Sequence, residues 1–450
     1  MGKYFGTDGI RAVAGTFPLV DDFVQKLGYA ALRELKEYSQ DAHLKNQVIV
    51  AQDSRASGPV LLDALQKGIR AAGVDVISVG VAPTPAVARL VKETGSLCGV
   101  VISASHNPAE FNGIKFFTNQ GTKLPEELEN SIEKEIESLC AVPAPRARFT
   151  EDPSLLTLYK EFLKSTVDAT LLKGTKVVLD CANGASSKVA VDVFAELGME
   201  LVVTGAKPDG TNINKGVGAL HTEFMQKLTA KERAFAGFSF DGDADRVIAS
   251  DENGNQLDGD NIIASSALCL KEQGKLKGNK AVLTIMANLG CINYLKANGV
   301  EVDLTKVGDK YVSEELEKNN LTLGGETSGH IIFRDFANTG DGILSALQFL
   351  QCAKKSGKPM SWFGAQWKKY PSLLKALKVS SKPPLETLDG FTAEVDRIEK
   401  AMNGRGRIIV RYSGTEPILR ILVEGEEKDL VERTAQEVEA LYLRKTEVLK

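Results

Sequence analysis

The chain has 450 residues, of which 43% are hydrophobic and 25% charged, an ordinary composition for a soluble globular protein of several domains. Its formal net charge of -4 argues against nucleic acid or an anionic membrane surface as the main partner. The six cysteines form no C-x-x-C pair, which argues against a zinc site and predicts thiols in a reducing cytoplasm. Neither a signal peptide nor a run of about 18 apolar residues is found, so we expect a cytoplasmic protein without a membrane partner.

A helix is predicted over residues 22–39, and after it one pattern occurs three times. At 48–80, 176–205 and 281–308, an apolar strand is followed by a small polar turn, an amphipathic helix, a glycine and a second strand. Three such βαβ units, spaced by roughly 105 to 130 residues, indicate three similar α/β domains with mixed sheets rather than one large sheet.

The C-terminal part of the chain follows a different pattern. Residues 407–425 are typical of two strands around a polar loop, and a closing helix carries Val431, Ala435, Val438 and Tyr442 on one face. This predicts a smaller α+β domain. With the proline-rich segment 141–148 and the Tyr370-Pro371 pair as boundary signals, the predicted domains are 1–150, 151–255, 256–370 and 371–450.

The first candidate for a reactive group is Ser105, in the stretch VVISASHNPAEFNGIKFF at 100–117. An apolar run ends there at small polar residues, and Ser105-His106-Asn107-Pro108 predicts a turn. Ligands of open α/β sheets bind outside the carboxyl ends of the strands, which is where this hydroxyl is expected. Taken alone, a serine at such a position is more often a helix cap or a turn residue.

Asp241, Asp243 and Asp245 alternate in the stretch FSFDGDADR, just after a predicted strand. In an extended segment their side chains point the same way, so three carboxylates face one point. Without a cation they would repel one another, and Mg²⁺ is the ion that such a site fits best. A calcium EF-hand is rejected because Arg246 stands where its glycine is required and residues 247–249 predict a returning strand.

Two further loops carry groups that suit a sugar phosphate. GGETSGH at 324–330 offers Glu326 and Ser328 to sugar hydroxyls, and His330 as a proton carrier or a structural histidine. RYSGTEP at 411–417, followed by Arg420, combines guanidinium groups, hydroxyls and backbone N–H groups that can bind a phosphate that does not react.

Together, FGTDGIR, ISASHNP, NGIKFF, FDGDADR, GGETSGH and RYSGTEP resemble, in this order, the motifs of the α-D-phosphohexomutase superfamily over essentially the whole chain. The resemblance implies four domains around a central active-site cleft, with a mobile fourth domain. It implies that Ser105 is the phosphoserine and that it holds one Mg²⁺ per chain with Asp241, Asp243 and Asp245. The catalytic residues implied are Ser105, Arg11, His106, Lys115, Arg246 and His330, and the substrate-binding residues are Glu326, Ser328, Arg411, Ser413, Gly414, Thr415 and Arg420.

The activity implied by the resemblance is the interconversion of glucosamine 6-phosphate and glucosamine 1-phosphate, which supplies the UDP-N-acetylglucosamine of cell-wall synthesis. A hexose bisphosphate would prime the enzyme, and a homodimer is the implied assembly. Thr327 and Tyr412 stand where the amino-sugar branch of the superfamily usually has Gln and Pro, so glucose or mannose phosphate remains the alternative substrate.

A hydrolase is the rival class of function. Phe240-Asp241-Gly-Asp243 resembles the nucleophile motif of haloacid-dehalogenase-like phosphatases, in which the first Asp is phosphorylated. Asp245 stands where that motif has Thr or Val, and the motif lies in the middle of the chain, which disfavours this reading. A sugar-phosphate sensor without turnover is a third and weaker alternative.

Overall fold

A computed structural model of the chain describes residues 2–6, 8–39, 41, 43–413 and 417–447. The chain divides into two compact units. The first is Met1–Met286 with Gly299–Ala365, and the second is Ala287–Asn298 with Gln366–Lys450. Among the described residues, no helix is long and apolar enough to cross a lipid bilayer.

The N-terminal domain is a six-stranded mixed sheet with helices. Its elements are β1 (Ile10–Val13), α1 (Asp21–Tyr38), β2 (Lys45–Gln52), α2 (Gly58–Ala71), β3 (Asp75–Val81), α3 (Thr84–Thr94), β4 (Ser96–Ile102), β5 (Phe111–Phe117), α4 (Glu126–Ser138) and β6 (Phe149–Glu151). The strand order is β1-β5-β4-β2-β3-β6, with β5 antiparallel to both β1 and β4. The apolar face of α1 is buried and contributes to the core of this domain, as its 3.6-residue periodicity predicts.

The second domain repeats this plan with five strands. It contains α5 (Leu156–Ser165), α6 (Ala169–Leu172), β7 (Lys176–Asp180), α7 (Ser186–Glu196), β8 (Glu200–Thr204), α8 (Glu223–Glu232), β9 (Ala236–Phe240), β10 (Val247–Ser250) and β11 (Gln256–Leu257). The strand order is β11-β10-β9-β7-β8, in which β7 is parallel to both β8 and β9 and β10 is antiparallel to β9.

The third sheet has the order β13-β12-β14-β15. Its part of the chain contains α9 (Gly259–Glu272), β12 (Lys280–Thr284), α10 (Leu289–Ala297), β13 (Glu301–Thr305), α11 (Asp309–Lys318), β14 (Leu323–Gly325), β15 (Ile331–Phe333), α12 (Gly342–Ser356) and α13 (Met360–Gly364). All three predicted βαβ units are confirmed, but α10, the helix of the third unit, belongs to the second compact unit and its strands to the first.

The three sheets share one feature that positions the candidate site. Strands β4, β9 and β14 each run parallel to the first strand of a βαβ unit and continue through a short polar loop into an antiparallel partner. The loops at 103–110, 241–246 and 326–330 therefore leave the carboxyl ends of equivalent strands. Binding groups are expected at these ends.

The C-terminal domain is smaller and has a different topology, as predicted. Its elements are β16 (Ser372–Lys378), α14 (Phe391–Ala401), β17 (Gly406–Tyr412), β18 (Ile418–Gly425) and α15 (Lys428–Glu447), and the antiparallel sheet has the order β16-β18-β17. The four apolar residues predicted for one face of the closing helix are all buried. The fold class, three α/β domains and a smaller C-terminal domain, is therefore confirmed.

Candidate functional site

Ser105 lies in the turn after β4 with φ 53°, a left-handed conformation that a residue with a Cβ rarely adopts. Its side chain is fully buried, and Oγ donates a hydrogen bond to Asp241 Oδ2 at 2.6 Å. Its backbone N–H donates to Ser103 Oγ at 2.9 Å. The predicted reactive hydroxyl therefore contacts the predicted metal-binding loop, although 136 residues separate the two in sequence.

Arg55, which sequence reasoning missed, binds the backbone of the Ser105 turn. Its guanidinium is fully buried, pairs with Asp53 Oδ2 at 2.8 Å, and donates to the carbonyl oxygens of Ser105 at 3.0 Å and Asn107 at 2.8 Å. It also donates to the carbonyl oxygens of Pro108 and Phe111. The signal for this role was present, because Asp53 and Arg55 directly follow the apolar strand β2.

Asn214 is a second residue that the sequence analysis did not select. Its Nδ2 donates to the carbonyl oxygens of Ser105 at 2.9 Å and Asn107 at 3.1 Å. The close approach of the two loops also requires Gly242, because a Cβ at that position would lie 2.5 Å from the Ser105 carbonyl oxygen. Contacts from two domains thus hold the Ser105 turn in one conformation.

The expectation that an extended segment aligns Asp241, Asp243 and Asp245 is wrong. Residues 241–246 form a turn, in which the Ala244 N–H donates to the Asp241 carbonyl at 3.0 Å and Ala244 has φ 57°. The three carboxylates nevertheless converge, since one oxygen from each lies within 4.8 Å of the others, and all three side chains are buried. The turn of the loop, rather than an extended strand, brings them together.

The electrostatics of this cluster suit a cation. Burial raises the pKa of Asp241 well above its usual range, and repulsion from Asp245 and Asp243 adds to the effect. Burial and the Asp243 charge likewise raise the pKa of Asp245. Asp243 Oδ1 and Asp245 Oδ1 are buried without a hydrogen-bond partner among the described residues. Two such oxygens beside a third carboxylate fit Mg²⁺, which prefers oxygen ligands.

Lys115 provides positive charge at the same place. Its Nζ lies 2.8 Å from Asp243 Oδ2, 2.8 Å from Asp8 Oδ2 and 3.8 Å from Asp245 Oδ2. Burial alone would lower the pKa of Lys115, but these three carboxylates outweigh it and raise that pKa. The same ammonium outweighs the effect of burial on Asp243 and lowers the pKa of that carboxyl. Thr84 Oγ1 donates to Asp243 Oδ2 at 2.7 Å, a further contact that the sequence did not predict.

Arg246 and His106 form the other side of the Ser105 environment. Arg246 Nη1 donates to His106 Nδ1 at 2.6 Å, and the Arg246 backbone N–H donates to Asp241 Oδ1 at 3.1 Å. Burial lowers the pKa of His106 to about 4, and the positive charges of Arg246 and Arg11 add to this effect. His106 is therefore neutral near pH 7, and Nδ1, which lies 3.3 Å from Ser105 Oγ, acts as an acceptor.

Arg11 and His330 are linked through charged residues that sequence reasoning did not assign. Arg11 pairs with Asp8, and Lys123 Nζ lies 2.6 Å from Asp8 Oδ1 and 2.5 Å from Asp309 Oδ2. His330 Nε2 lies 3.2 Å from Asp309 Oδ2. These alternating charges connect residues of the first and third sheets. Lys123 lies beyond the NGIKFF motif, where no pattern distinguishes it from a surface lysine.

His330 is buried, and neither of its ring nitrogens has an aligned hydrogen-bond partner among the residues described. Gly340 leaves room for the ring, because a Cβ there would lie 2.4 Å from His330 Nε2. In the same loop, Glu326 Oε1 accepts from the Gly308 N–H at 3.0 Å, and Ser328 is exposed. Thr327 Oγ1 donates to Asp260 Oδ1 at 2.8 Å.

In the second compact unit, Arg411 on β17 pairs directly with Arg420 on β18. Partial burial lowers the pKa of Arg411, and the Arg420 charge adds to this effect. Like charges opposite each other on a sheet repel, so an anion would stabilise the pair. Ser413 is buried, and its carbonyl oxygen accepts from Lys382 Nζ at 2.7 Å. Gly414 and Thr415 lie outside the described residues.

Comparison with known protein families identifies the class of protein to which this fold and site belong. The Phosphoglucomutase/phosphomannomutase family matches in four consecutive stretches: its alpha/beta/alpha domains I, II and III at residues 2–141, 157–254 and 258–370, and its C-terminal domain at 374–441. A solved structure of a Phosphoglucomutase/phosphomannomutase family protein from Burkholderia thailandensis is similar in fold, with a TM-score of 0.82 at 23% identity over 99% of this chain and 98% of that one. The fold and the site therefore define a phosphohexomutase.

Comparison with curated relatives identifies a narrower family within this class of protein. The phosphoglucosamine mutase of Caldicellulosiruptor saccharolyticus is 44% identical over 98% of this chain and 99% of its own length. That of Clostridium novyi is 45% identical over 97% of each chain. The chain belongs to the phosphoglucosamine mutase family. N-acetylphosphoglucosamine mutase of Aspergillus fumigatus, solved in complex with GlcNAc-6P and magnesium, shares the fold with a TM-score of 0.68 at 19% identity over 98% of this chain and 96% of that one.

Proposed function

We propose that the chain interconverts glucosamine 6-phosphate and glucosamine 1-phosphate by passing a phosphoryl group through Ser105. The observation that carries the proposal is the buried Ser105 hydroxyl, 2.6 Å from Asp241 in a cluster of three carboxylates. Full-length relatives that are 44% identical and named phosphoglucosamine mutases support this choice of sugar. The activity would place the protein in the cytoplasmic supply of amino sugar for cell-wall precursors.

In the proposed reaction, phosphoserine 105 donates its phosphoryl group to the free oxygen of the hexose phosphate. The product is a bisphosphate, which turns over and returns its other phosphoryl group to Ser105. Lys115, Arg246 and Arg11 balance the negative charge of the equatorial oxygens, the main requirement of such a transition state. A divalent cation held by Asp241, Asp243 and Asp245 would add positive charge to the same oxygens.

Proton exchange with the sugar hydroxyl is proposed for Lys115 or His330. The pKa of Lys115 is raised by its three carboxylate neighbours, so its ammonium stays protonated and keeps its positive charge beside the transferring phosphoryl group. His330 has ring nitrogens without aligned partners among the described residues, and it is suited to accept a proton from the attacking hydroxyl. His106 is neutral and bonded to Arg246, so its proposed role is to orient that guanidinium beside Ser105.

The substrate contacts are proposed for the remaining predicted residues. Glu326 and Ser328 would bind sugar hydroxyls, and Arg411, Ser413, Gly414, Thr415 and Arg420 would bind the phosphate that does not react. The hydroxyls of Thr327 and Tyr412 have partners of their own, at 2.8 Å on Asp260 and 3.3 Å on Tyr442. This supports reading both as tolerated variants that leave the preference for glucosamine phosphate unchanged.

Four finer points belong to the same proposal. We propose one Mg²⁺ per chain, priming by a hexose bisphosphate, a homodimer, and domain limits at 1–150, 151–255, 256–370 and 371–450.

The test is Mg²⁺-dependent interconversion of the two glucosamine phosphates, primed with glucose 1,6-bisphosphate and compared with glucose 1-phosphate and mannose 1-phosphate. A clear preference for glucosamine phosphate is expected. A tenfold preference for glucose or mannose phosphate, about 1.4 kcal/mol of transition-state energy, would overturn the substrate and leave the mechanism intact. Release of the enzyme-bound phosphate by hydroxylamine would indicate an acyl phosphate on Asp241 and support the phosphatase reading instead.

A further inference from the structure

A cavity of about 90 Å³ lies at the C-terminal ends of α9 and α12, and two cysteines, Cys269 and Cys352, line it. Its wall combines apolar groups such as Phe333 and Phe336 with the ammonium of Lys355. The cavity exceeds the roughly 30 Å³ that a water molecule occupies in the liquid, so a small polar molecule can enter. None of these residues takes part in the proposed mutase reaction.

The two thiols line the same cavity, one from each of these helices. Cys352 is buried, and its Sγ lies 3.8 Å from the Ser265 carbonyl oxygen, one helical turn before Cys269 on the same face of α9. The Cys269 thiol is half-buried, and Gln273 Nε2 donates a hydrogen bond to its Sγ at 3.1 Å. Both thiols therefore line one cavity before any covalent bond forms.

The surroundings of Cys269 favour its thiolate. Interaction with the Cys352 side chain lowers the pKa of Cys269 to about 7, with burial acting in the opposite direction and Gln273 adding a smaller decrease. The same interaction and burial raise the pKa of the Cys352 thiol. A thiolate beside a protonated thiol is the arrangement of an attacking and a resolving cysteine.

The other cysteines lack this combination. Burial raises the pKa of the Cys98 thiol, and it raises that of Cys181 to about 12. These two side chains and that of Cys291 are fully buried. Cys140 is exposed and serves as the natural comparison for an accessible thiol.

We propose that Cys269 and Cys352 form a peroxide-reactive modification site. The Cys269 thiolate attacks the O–O bond of hydrogen peroxide, which gives the sulfenic acid and, after proton uptake, one water. The Cys352 thiol then attacks this sulfur, the S–O bond breaks, and a second water leaves as the disulfide forms. Two thiols are oxidised by two electrons and one peroxide is reduced, so the step is balanced. The disulfide would link the C-terminal ends of α9 and α12.

The experiment treats the purified full-length chain with a small molar excess of hydrogen peroxide and maps its peptides by mass spectrometry without reduction. The main oxidation product is expected to be a peptide pair linked through Cys269 and Cys352, short of two hydrogen atoms and released by dithiothreitol. In Cys352→Ser, dimedone should instead label the sulfenic acid of Cys269. In Cys269→Ser, oxidation of Cys352 should be at least tenfold slower than the wild-type reaction.

Cys140→Ser is the matched control and should form the linked peptide at the wild-type rate. Circular dichroism of each variant verifies its fold, and the half-buried Cys269→Ser provides the test should Cys352→Ser not fold. Oxidation confined to Cys140 would overturn the proposal. Dimedone labelling of Cys269 that is equal in the wild type and in Cys352→Ser would also overturn it, because Cys352 would then not resolve the sulfenic acid.

Discussion

The hydroxyl proposed to carry the phosphoryl group, that of Ser105, is held in a conformation that the backbone of a serine does not prefer. A left-handed residue with a Cβ costs about 1 to 2 kcal/mol, and Ser105 has φ 53°. Donors from Arg55 and Asn214 bind its carbonyl oxygen, and Ser103 accepts its N–H. These contacts offset the strain and point Oγ at Asp241. In the proposed mechanism, the nucleophile is therefore oriented by neighbouring residues that have no assigned contact with the substrate.

Ser105→Ala is expected to abolish mutase activity, because the proposed reaction passes the phosphoryl group through this hydroxyl. Incubation with glucose 1,6-bisphosphate should add one phosphate to the wild-type chain and none to the variant, as measured by intact mass. Ser187→Ala is the control, since that hydroxyl at the start of α7 donates only to the Gly184 carbonyl at 2.7 Å. Phosphate uptake by Ser105→Ala would contradict the assignment.

Arg55→Lys is expected to lower kcat by about tenfold to a hundredfold with little change in KM, since a misplaced nucleophile slows chemistry more than binding. A lysine keeps the charge beside Asp53 but cannot donate to four carbonyl oxygens at once. Arg70→Lys is the matched control, because Arg70 also donates to a backbone carbonyl, that of Ala147 at 2.7 Å, outside the site. A parallel loss of kcat in both variants, or a KM effect alone, would refute the positioning role.

At the scale of elements, the site is assembled from equivalent loops. Strands β4, β9 and β14 end in loops that carry Ser105, the three aspartates and Glu326 to His330, and each loop returns as an antiparallel strand. Arg246 and His330 form an isolated bridge between the second and third of these loops. A repeated βαβ plan therefore brings chemically different groups to corresponding places in three sheets.

Helix α12 begins beside these loops at its N-cap, Asp341, which accepts from the Leu344 N–H at 2.9 Å and from the Tyr159 hydroxyl at 2.9 Å. Burial nevertheless raises the pKa of Asp341 to about 6, compared with 3.8 for an unperturbed Asp. At a pH between these two pKa values, Asp341 is protonated in the folded chain and ionised in the unfolded chain. Stability contributed by this group is thus present below about pH 4 and lost as the pH rises to about 6.

Asp341→Asn removes this titration but keeps an oxygen for the cap. The difference in unfolding free energy, variant minus wild type, should therefore rise between about pH 4 and 6 by an amount on the order of 2 kcal/mol. Urea unfolding at several pH values measures it. Asp168→Asn is the control at an exposed N-cap, where the Thr170 hydroxyl lowers the pKa and the slope should have the opposite sign. A flat difference for Asp341→Asn would contradict the assignment.

At the scale of the whole molecule, the carboxylate cluster concentrates negative charge in one of two compact units. Lys115 compensates only part of it, because two carboxylate oxygens keep no hydrogen-bond partner among the described residues. A bound divalent cation would stabilise the folded state by mass action, about 2.7 kcal/mol at a hundred times its Kd. The stabilisation should be local to the unit that holds the cluster.

Mg²⁺ is therefore expected to raise the melting temperature of the wild type and to slow hydrogen exchange at residues 241–246, while exchange in β16 to β18 stays unchanged. Asp245→Asn should lose more than half of the thermal shift, because it removes a ligand that has no hydrogen bond from Thr84 or Lys115. Asp209→Asn, at an exposed loop of the same unit, should keep it. An equal shift in both variants would show that the cation binds elsewhere. Chelation of the metal should stop turnover.

Local patterns along the chain were sufficient to predict the order of elements and the three βαβ units, and to select Ser105 and the acidic triplet, which the structure brings together, as candidates. Hydrophobic periodicity and turn residues act within about ten residues, so they can be read without knowing which strands become neighbours. The same patterns could not determine the shape of the acidic loop. They implied an extended segment, whereas Ala244 takes a left-handed conformation and the loop coils.

Only the tertiary structure decided which groups support the predicted ones. Arg55 reaches the Ser105 carbonyl across 50 residues, Asn214 reaches it across 109, and Ser105 reaches Asp241 across 136. Such contacts depend on the order of strands in a sheet and on how sheets face each other, and no periodicity encodes either. The sequence by itself therefore identified candidate reactive groups, whereas the order of the strands determined where those groups lie. The reason is that the left-handed turn at Ser105 is held by hydrogen bonds from distant residues, and the pKa shifts arise from burial among distant neighbours.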